Sequence, residues 1–246
     1  MSPSSFGQAT LPVSATMAQL RRRKREATQQ LLGDTIAITD EDWQQPSRLP
    51  GWTRAHVATH LARNADGLRR VVHGLLTHSP TTMYPDERQR ERDLEQGSLR
   101  DALDLQIDLD TSAGLLNDAF NFLEESGAAD EVALREGLRL PVHWLPVARL
   151  NEVVLHHIDL DCGFTAPDVA ADIARWLLEW QCLRLAKAPD APRVRIASSS
   201  GVRAQLGDDP EAPEVRGSDA VLLGWITGCG SAEGLFGAPE TDIKEL

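Results

Sequence analysis

Tyrosine and phenylalanine are scarce in this 246-residue chain, with one Tyr and five Phe, which leaves little from which to build a base-stacking platform. Basic charge is short as well: 25 Lys and Arg stand against 37 Asp and Glu, a formal net charge of −12. A nucleic-acid binder normally carries a basic footprint, so no nucleic-acid partner is expected. No apolar run approaches the roughly 18 residues needed to span a bilayer. The opening MSPSSFGQATLPVSATM has neither the charged nor the apolar segment of a signal peptide. Cysteine is limited to Cys162, Cys182 and Cys229, an odd number without CxxC spacing, so reduced thiols and a cytoplasmic setting are expected. What is present, 41% hydrophobic residues in a chain long enough for one large domain or two small ones, fits an ordinary globular protein. Such a chain, kept from nucleic acid and membrane, points to a small-molecule enzyme or an oligomer subunit.

Residues 1–16, rich in Ser, Pro and Thr without an apolar period, read as a flexible tail. Helical patterning begins at Met17 and runs to Leu32, and its RRRKRE run reads as a solvated face. WQQPSRLPG (residues 43–51) is a turn segment, after which Thr53 is a plausible cap for a helix reaching about Leu76. Val57, Leu61, Leu68, Val71 and Leu75 form its apolar stripe. HSPTTMYPDER reads as a loop. Ser98 to Glu125 reads as one long amphipathic helix with Leu99, Leu103, Ile107, Leu115, Leu116 and Phe120 on its apolar face, ending near Gly127. A fourth helix spans about Pro146 to Asp161. Four long helices predict an antiparallel bundle over residues 17–165. The period then changes. A helix over Asp168 to Leu185, strands at Arg193–Ala197 and Val202–Leu206, a third around Val215 and a helix at Ser218–Thr227 predict a smaller α/β domain over residues 166–246. The expected class is α+β.

Glu152 and His156 are the sharpest local feature. Four residues apart on a helix, a carboxylate and an imidazole lie one above the other and can meet one ion. A histidine from another helix would complete a His₂Glu set of the kind that holds catalytic zinc with an open fourth position. The same spacing also serves an ordinary surface pair. His56 and His60, themselves four apart on the second helix, are both candidates for the third donor. His60 lies beside the stripe and one turn before Asn64, while His56 follows the first turn, and helical geometry separates them only modestly.

Three strings then match a known pattern. LPGWTRAHVATHLARNADGL (residues 49–68) resembles the LxGWTRxHLxxHxxxNA signature of mycothiol-dependent maleylpyruvate isomerases, and RLNEVVLHHIDLDCG (residues 149–163) resembles their RxxEVxxHxxDLG. MYPDERQRERDLEQGS (residues 83–98) is similar to the segment MYxSxxxRxxxIxxGS that lies between them in that family. The resemblance implies a DinB-like four-helix bundle with a C-terminal α/β domain. It implies one divalent metal, usually taken as Zn²⁺, held by His60, Glu152 and His156, and so selects His60 over His56.

The resemblance further implies mycothiol as thiol cosubstrate and cis–trans isomerisation of maleylpyruvate to fumarylpyruvate. A substrate with two carboxylates needs cationic partners, and Arg90 matches the family's arginine in the middle segment. Tyr84, the only Tyr, matches as well, and Arg90, Tyr84 and Asn64 are expected to bind substrate. Arg149, three residues before Glu152, is expected to orient that carboxylate as a hydrogen-bond donor behind it. One position departs from the pattern. Where the family has an arginine in AAGRGS, this chain has ITGCGS, with Cys229 at that place. A thiol cannot replace a guanidinium in binding a carboxylate. Either Arg203 or Arg216 serves instead, or the chain is a mycothiol S-transferase acting on another small-molecule electrophile. A non-catalytic bundle that sequesters metal or thiol is the remaining alternative, and the open fourth position counts against it.

Overall fold

The computed structural model describes residues 12–79, 81–84, 86–128, 130–134, 139–186, 188 and 191–239. The chain divides into two compact units, one of Thr16–Cys162 and one of Gly163–Leu246 with Pro12–Ala15. Of the tail expected over residues 1–16, residues 1–11 lie outside the described residues. Thr16 caps the first helix, and in the second unit Val13 is buried while the Ser14 N–H donates to Glu179 Oε2 at 2.6 Å.

The first unit is built on α1 (Met17–Thr35), α3 (Arg54–Leu76), α5 (Ala102–Ser126) and α6 (Leu145–Asp159), with short α2 (Asp40–Trp43) and α4 (Glu87–Gly97) in the connections. Local chemistry sets the ends. Thr16 and Thr53 close capping boxes, Asp86 and Asp101 accept from backbone N–H groups, and Gly127 takes φ 66° to stop α5. Side-chain contacts fix the directions. Lys24 meets Asn117 and Thr35 meets Gln106, so α1 and α5 are antiparallel. Arg149 donates to Leu61 O and Arg54 to Leu160 O, so α3 and α6 are antiparallel. His157 meets Asp34 near the C-terminal ends of both α1 and α6, so those two run parallel. Their order is therefore up-down-down-up. The crossover from α3 to α5, which this order requires, lays α4 against α3.

The stripe expected on α3 is buried at Val57, Leu61, Leu68 and Val71. On α5 the expectation fails in part: Leu116 and Phe120 face inward, but Leu99, Leu103, Ile107 and Leu115 are exposed. The sequence LDLQIDLD offers two apolar series, and polar contacts choose between them. Gln106 reaches Leu32 O and Thr35 on α1, while Asp108 pairs with Arg63 and Arg100. This rotation buries Leu105, Leu109 and Leu123 instead. The long helix expected from Ser98 begins only at Ala102, and part of the expected loop is α4. A short hairpin, β1 (Glu131–Ala133) with β2 (Arg139–Pro141), lies before α6.

One member of the basic run is not solvated. Lys24 is 4% exposed, with Nζ 4.6 Å from the Phe120 ring centroid. Burial, reinforced by the charges of Arg149, Arg21 and Arg25, lowers its ammonium to about 7. An unfolded lysine keeps its proton up to about pH 10.4, so from pH 7 to that value the unfolded chain holds more protons and stability rises with pH. Lys24→Met is therefore expected to stabilise the chain at pH 7, with a gain that shrinks by up to about 1.4 kcal/mol per pH unit toward pH 10. Urea melts of both proteins across that range measure it. An equal gain at pH 7 and pH 10 would refute the burial penalty.

In the second unit, β3 (Val194–Ser198) pairs antiparallel with β4 (Arg203–Leu206) and parallel with β5 (Glu214–Gly217). α7 (Ala171–Leu185) and α8 (Asp219–Thr227) supply Leu178, Cys182, Leu222, Trp225 and Ile226 to a core shared with Val194, Ile196, Leu206 and Val215. Among the described residues no helix is long and apolar enough to cross a membrane.

Candidate metal centre

His60 lies two turns into α3, and Glu152 and His156 lie one turn apart on the antiparallel α6. Their donor atoms converge: His60 Nε2 is 3.3 Å and His156 Nε2 is 3.6 Å from Glu152 Oε2. One ligand atom from each of the three lies within 4.8 Å of the others, and the two imidazoles meet edge to face with centroids 4.7 Å apart. Two nitrogens and a carboxylate oxygen aimed at one point suit a borderline cation such as Zn²⁺.

The electrostatics agree with that use. Burial opposes ionisation of Glu152, yet hydrogen bonds and charge from His156 and His60 hold its carboxyl well below the usual range. Burial lowers the His60 imidazole, which keeps it neutral and able to offer a lone pair. His156 is the exception. Burial would lower it, but Asp159 and Glu152 together raise it to about 9, so a cation taken up at neutral pH must displace a proton there.

Trp52, Thr53 and Arg54 open α3 with three separate tasks. The Trp52 ring lies 5.5 Å from the His60 ring and forms a wall beside it. Thr53 caps the helix. Arg54 reaches across to the end of α6, donating to Leu160 O at 2.8 Å and Asp161 O at 2.7 Å, and so ties the start of one ligand helix to the end of the other. His56 is outside the cluster: its Nδ1 completes the Thr53 capping box and its Nε2 is 3.7 Å from Glu95.

Asn64, expected to bind substrate, meets two protein partners. Its Nδ2 donates to Glu152 Oε2 at 3.2 Å and its Oδ1 accepts from Arg149 Nη1 at 2.7 Å, so both ends of the amide are taken inside the protein. Arg149 accordingly reaches Glu152 through Asn64, with a second donation to Leu61 O at 2.8 Å. Burial lowers its guanidinium to about 10, against the pull of the Glu152 charge, and it remains cationic at neutral pH.

Tyr84 and Arg90 come from the crossover and α4. The Arg90 guanidinium stands 5.6 Å from the Tyr84 ring centroid and accepts Glu87 as a counter-ion at 3.0 Å. Its side chain is only 12% exposed, and its charge acts on His60. Cys229 belongs to the second unit, where it is buried just after Gly228 ends α8, with Sγ 3.9 Å from Thr227 O. Arg203 and Arg216 project from β4 and β5 of that unit, and Arg216 pairs with Glu214.

A four-helix bundle that turns two imidazole nitrogens and a carboxylate onto one point defines the class of helical bundles able to take a metal ion in their core. The chain belongs to the mycothiol maleylpyruvate isomerase family, whose N-terminal domain model matches residues 24–161. Two solved structures are similar to it: a mycothiol-dependent maleylpyruvate isomerase and a histidine-to-alanine variant of that enzyme. Each aligns with a TM-score of 0.84 at 23% sequence identity, over 94% of this chain and 98% of the other, so they share its fold. No curated protein sequence matches the chain.

Proposed function

We propose that the chain is a cytoplasmic, metal- and mycothiol-dependent isomerase that converts maleylpyruvate to fumarylpyruvate. The observation that carries this reading is the convergence of His60, Glu152 and His156, three donors among the described residues where a closed structural zinc site would have four. A divalent ion such as Zn²⁺, if held by these residues, would supply a cation beside which a thiol is deprotonated at neutral pH. The thiolate sulfur adds to one carbon of the cis double bond as the π pair moves onto the conjugated carbonyl to give an enolate. The former double bond, now single, rotates, and the enolate pair returns to expel the same thiolate and restore the double bond as trans. Mycothiol returns unchanged, and nothing is oxidised or reduced.

The protein's part is to fix charges. Asn64 and Arg149 hold the Glu152 carboxylate in place. Arg90 binds a substrate carboxylate by exchanging it for Glu87, and Tyr84 backs the guanidinium. Trp52 limits water on the His60 side. Such local cations matter more than the net charge of −12, because the substrate meets the field of the pocket rather than the average over the surface.

Cys229 favours a second reading, transfer of mycothiol onto a different electrophile, since a thiol there cannot bind carboxylate as an arginine does. Mass spectrometry of mycothiol after incubation of metal-loaded protein with maleylpyruvate, and separately with other small-molecule electrophiles, separates the two. Recovered free mycothiol with fumarylpyruvate, and no conjugate from the other electrophiles, supports the isomerase. A stable mycothiol conjugate of another electrophile without turnover of maleylpyruvate supports the transferase and overturns the isomerase.

A further inference from the structure

We infer that Asp159 is a positioning residue for the metal centre, fixing the His156 ring so that Nε2 is the nitrogen offered to the ion; the inference rests on the metal reading above. Asp159 ends α6, three residues after His156, and its carboxylate Oδ2 lies 2.8 Å from His156 Nδ1. Across the ring, Nε2 faces Glu152. The imidazole is thus gripped at both edges, and the edge turned to Asp159 is the one not turned to the cluster. A histidine whose far nitrogen donates to a carboxylate has one tautomer, one ring orientation and a more basic ligating nitrogen.

Local energetics do not favour an acid at this place. Asp159 is 4% exposed and sits at the C-terminal end of a helix, where the backbone carbonyls already present negative charge. A residue chosen only to finish α6 would be neutral or basic. The end of α6 is in any case secured by other groups: Arg48 N–H donates to the Asp159 carbonyl at 2.8 Å, and Arg54 takes Leu160 O and Asp161 O. The carboxylate that meets His156 is thus not needed to finish the helix.

The test is Zn²⁺ affinity of the full chain, read by competition with a chromophoric chelator, for wild type, Asp159→Asn and Asp159→Ala. Loss of such a carboxylate partner typically weakens metal binding by about 10- to 100-fold. Asp159→Ala is expected in that range. Asp159→Asn, which keeps an oxygen acceptor for Nδ1–H but no charge, is expected between it and wild type. The visible absorption of the Co²⁺ forms should shift in the same order, while thermal melts of the metal-free proteins report folding separately. If Asp159→Ala does not fold, Asp159→Asn decides. Wild-type affinity in the folded variants overturns the inference alone; failure of the wild-type chain to bind Zn²⁺ overturns the metal reading beneath it.

Discussion

Glu152→Ala is expected to remove bound metal and turnover together. Glu152 is the member of the cluster that both imidazoles approach, and it brings the only negative charge among the three donors. Its loss leaves two histidines facing each other across a buried gap with no carboxylate between them. The loss of Zn²⁺ affinity should exceed the roughly 10- to 100-fold that a change behind a ligand costs. His60→Ala and His156→Ala should behave alike, whereas His56→Ala should keep its metal, because His56 serves the cap of α3. Metal content by atomic emission, measured beside activity, checks all four. Wild-type metal in any of the first three would refute the ligand assignment.

Arg90→Ala is expected to spare the metal and impair turnover. A hydrogen bond to a charged group is worth about 1.5–3 kcal/mol, which corresponds to a roughly 10- to 150-fold fall in kcat/KM. Arg90→Lys should recover little, since a lysine cannot present the planar fork that grips a carboxylate at two points. Steady-state kinetics with maleylpyruvate at saturating mycothiol measures the effect. An unchanged kcat/KM would assign Arg90 to packing against Tyr84 and Glu87 instead.

These two residues differ in how they could be read from the sequence. The i,i+4 spacing of Glu152 and His156 already placed both on one helical face, and the apolar stripe of α3 placed His60 beside the inward side of its own helix. The choice between His56 and His60 needed the family resemblance. A physical clue was nonetheless present: His56 is the third residue after the Thr53 cap, the position from which a side chain folds back onto the cap. Asp159 carries a similar clue in its i+3 spacing from His156.

Other parts were hidden for physical reasons. α4 contains a single buried residue, Leu94, so DERQRERDLEQG has no apolar period, and its helix rests on the Asp86 cap and on contact with α3. The rotation of α5 depended on where Gln106 and Asp108 find partners on α1 and α3, which no local pattern contains. That Asn64 meets Glu152 and Arg149 is not contained in any local pattern, because Arg149 lies 85 residues away in sequence. Of the GWTR string, Thr53 was legible as a cap and the rest only as a resemblance; the structure gives it a cause, with Trp52 against His60, Thr53 as cap and Arg54 across to α6.

The most direct test of the account follows maleylpyruvate by proton NMR with Zn²⁺-loaded protein and catalytic mycothiol. Fumarylpyruvate should accumulate while mycothiol stays constant, and omission of either the metal or the thiol should stop the reaction. No fumarylpyruvate from fully loaded protein with mycothiol present would contradict the account.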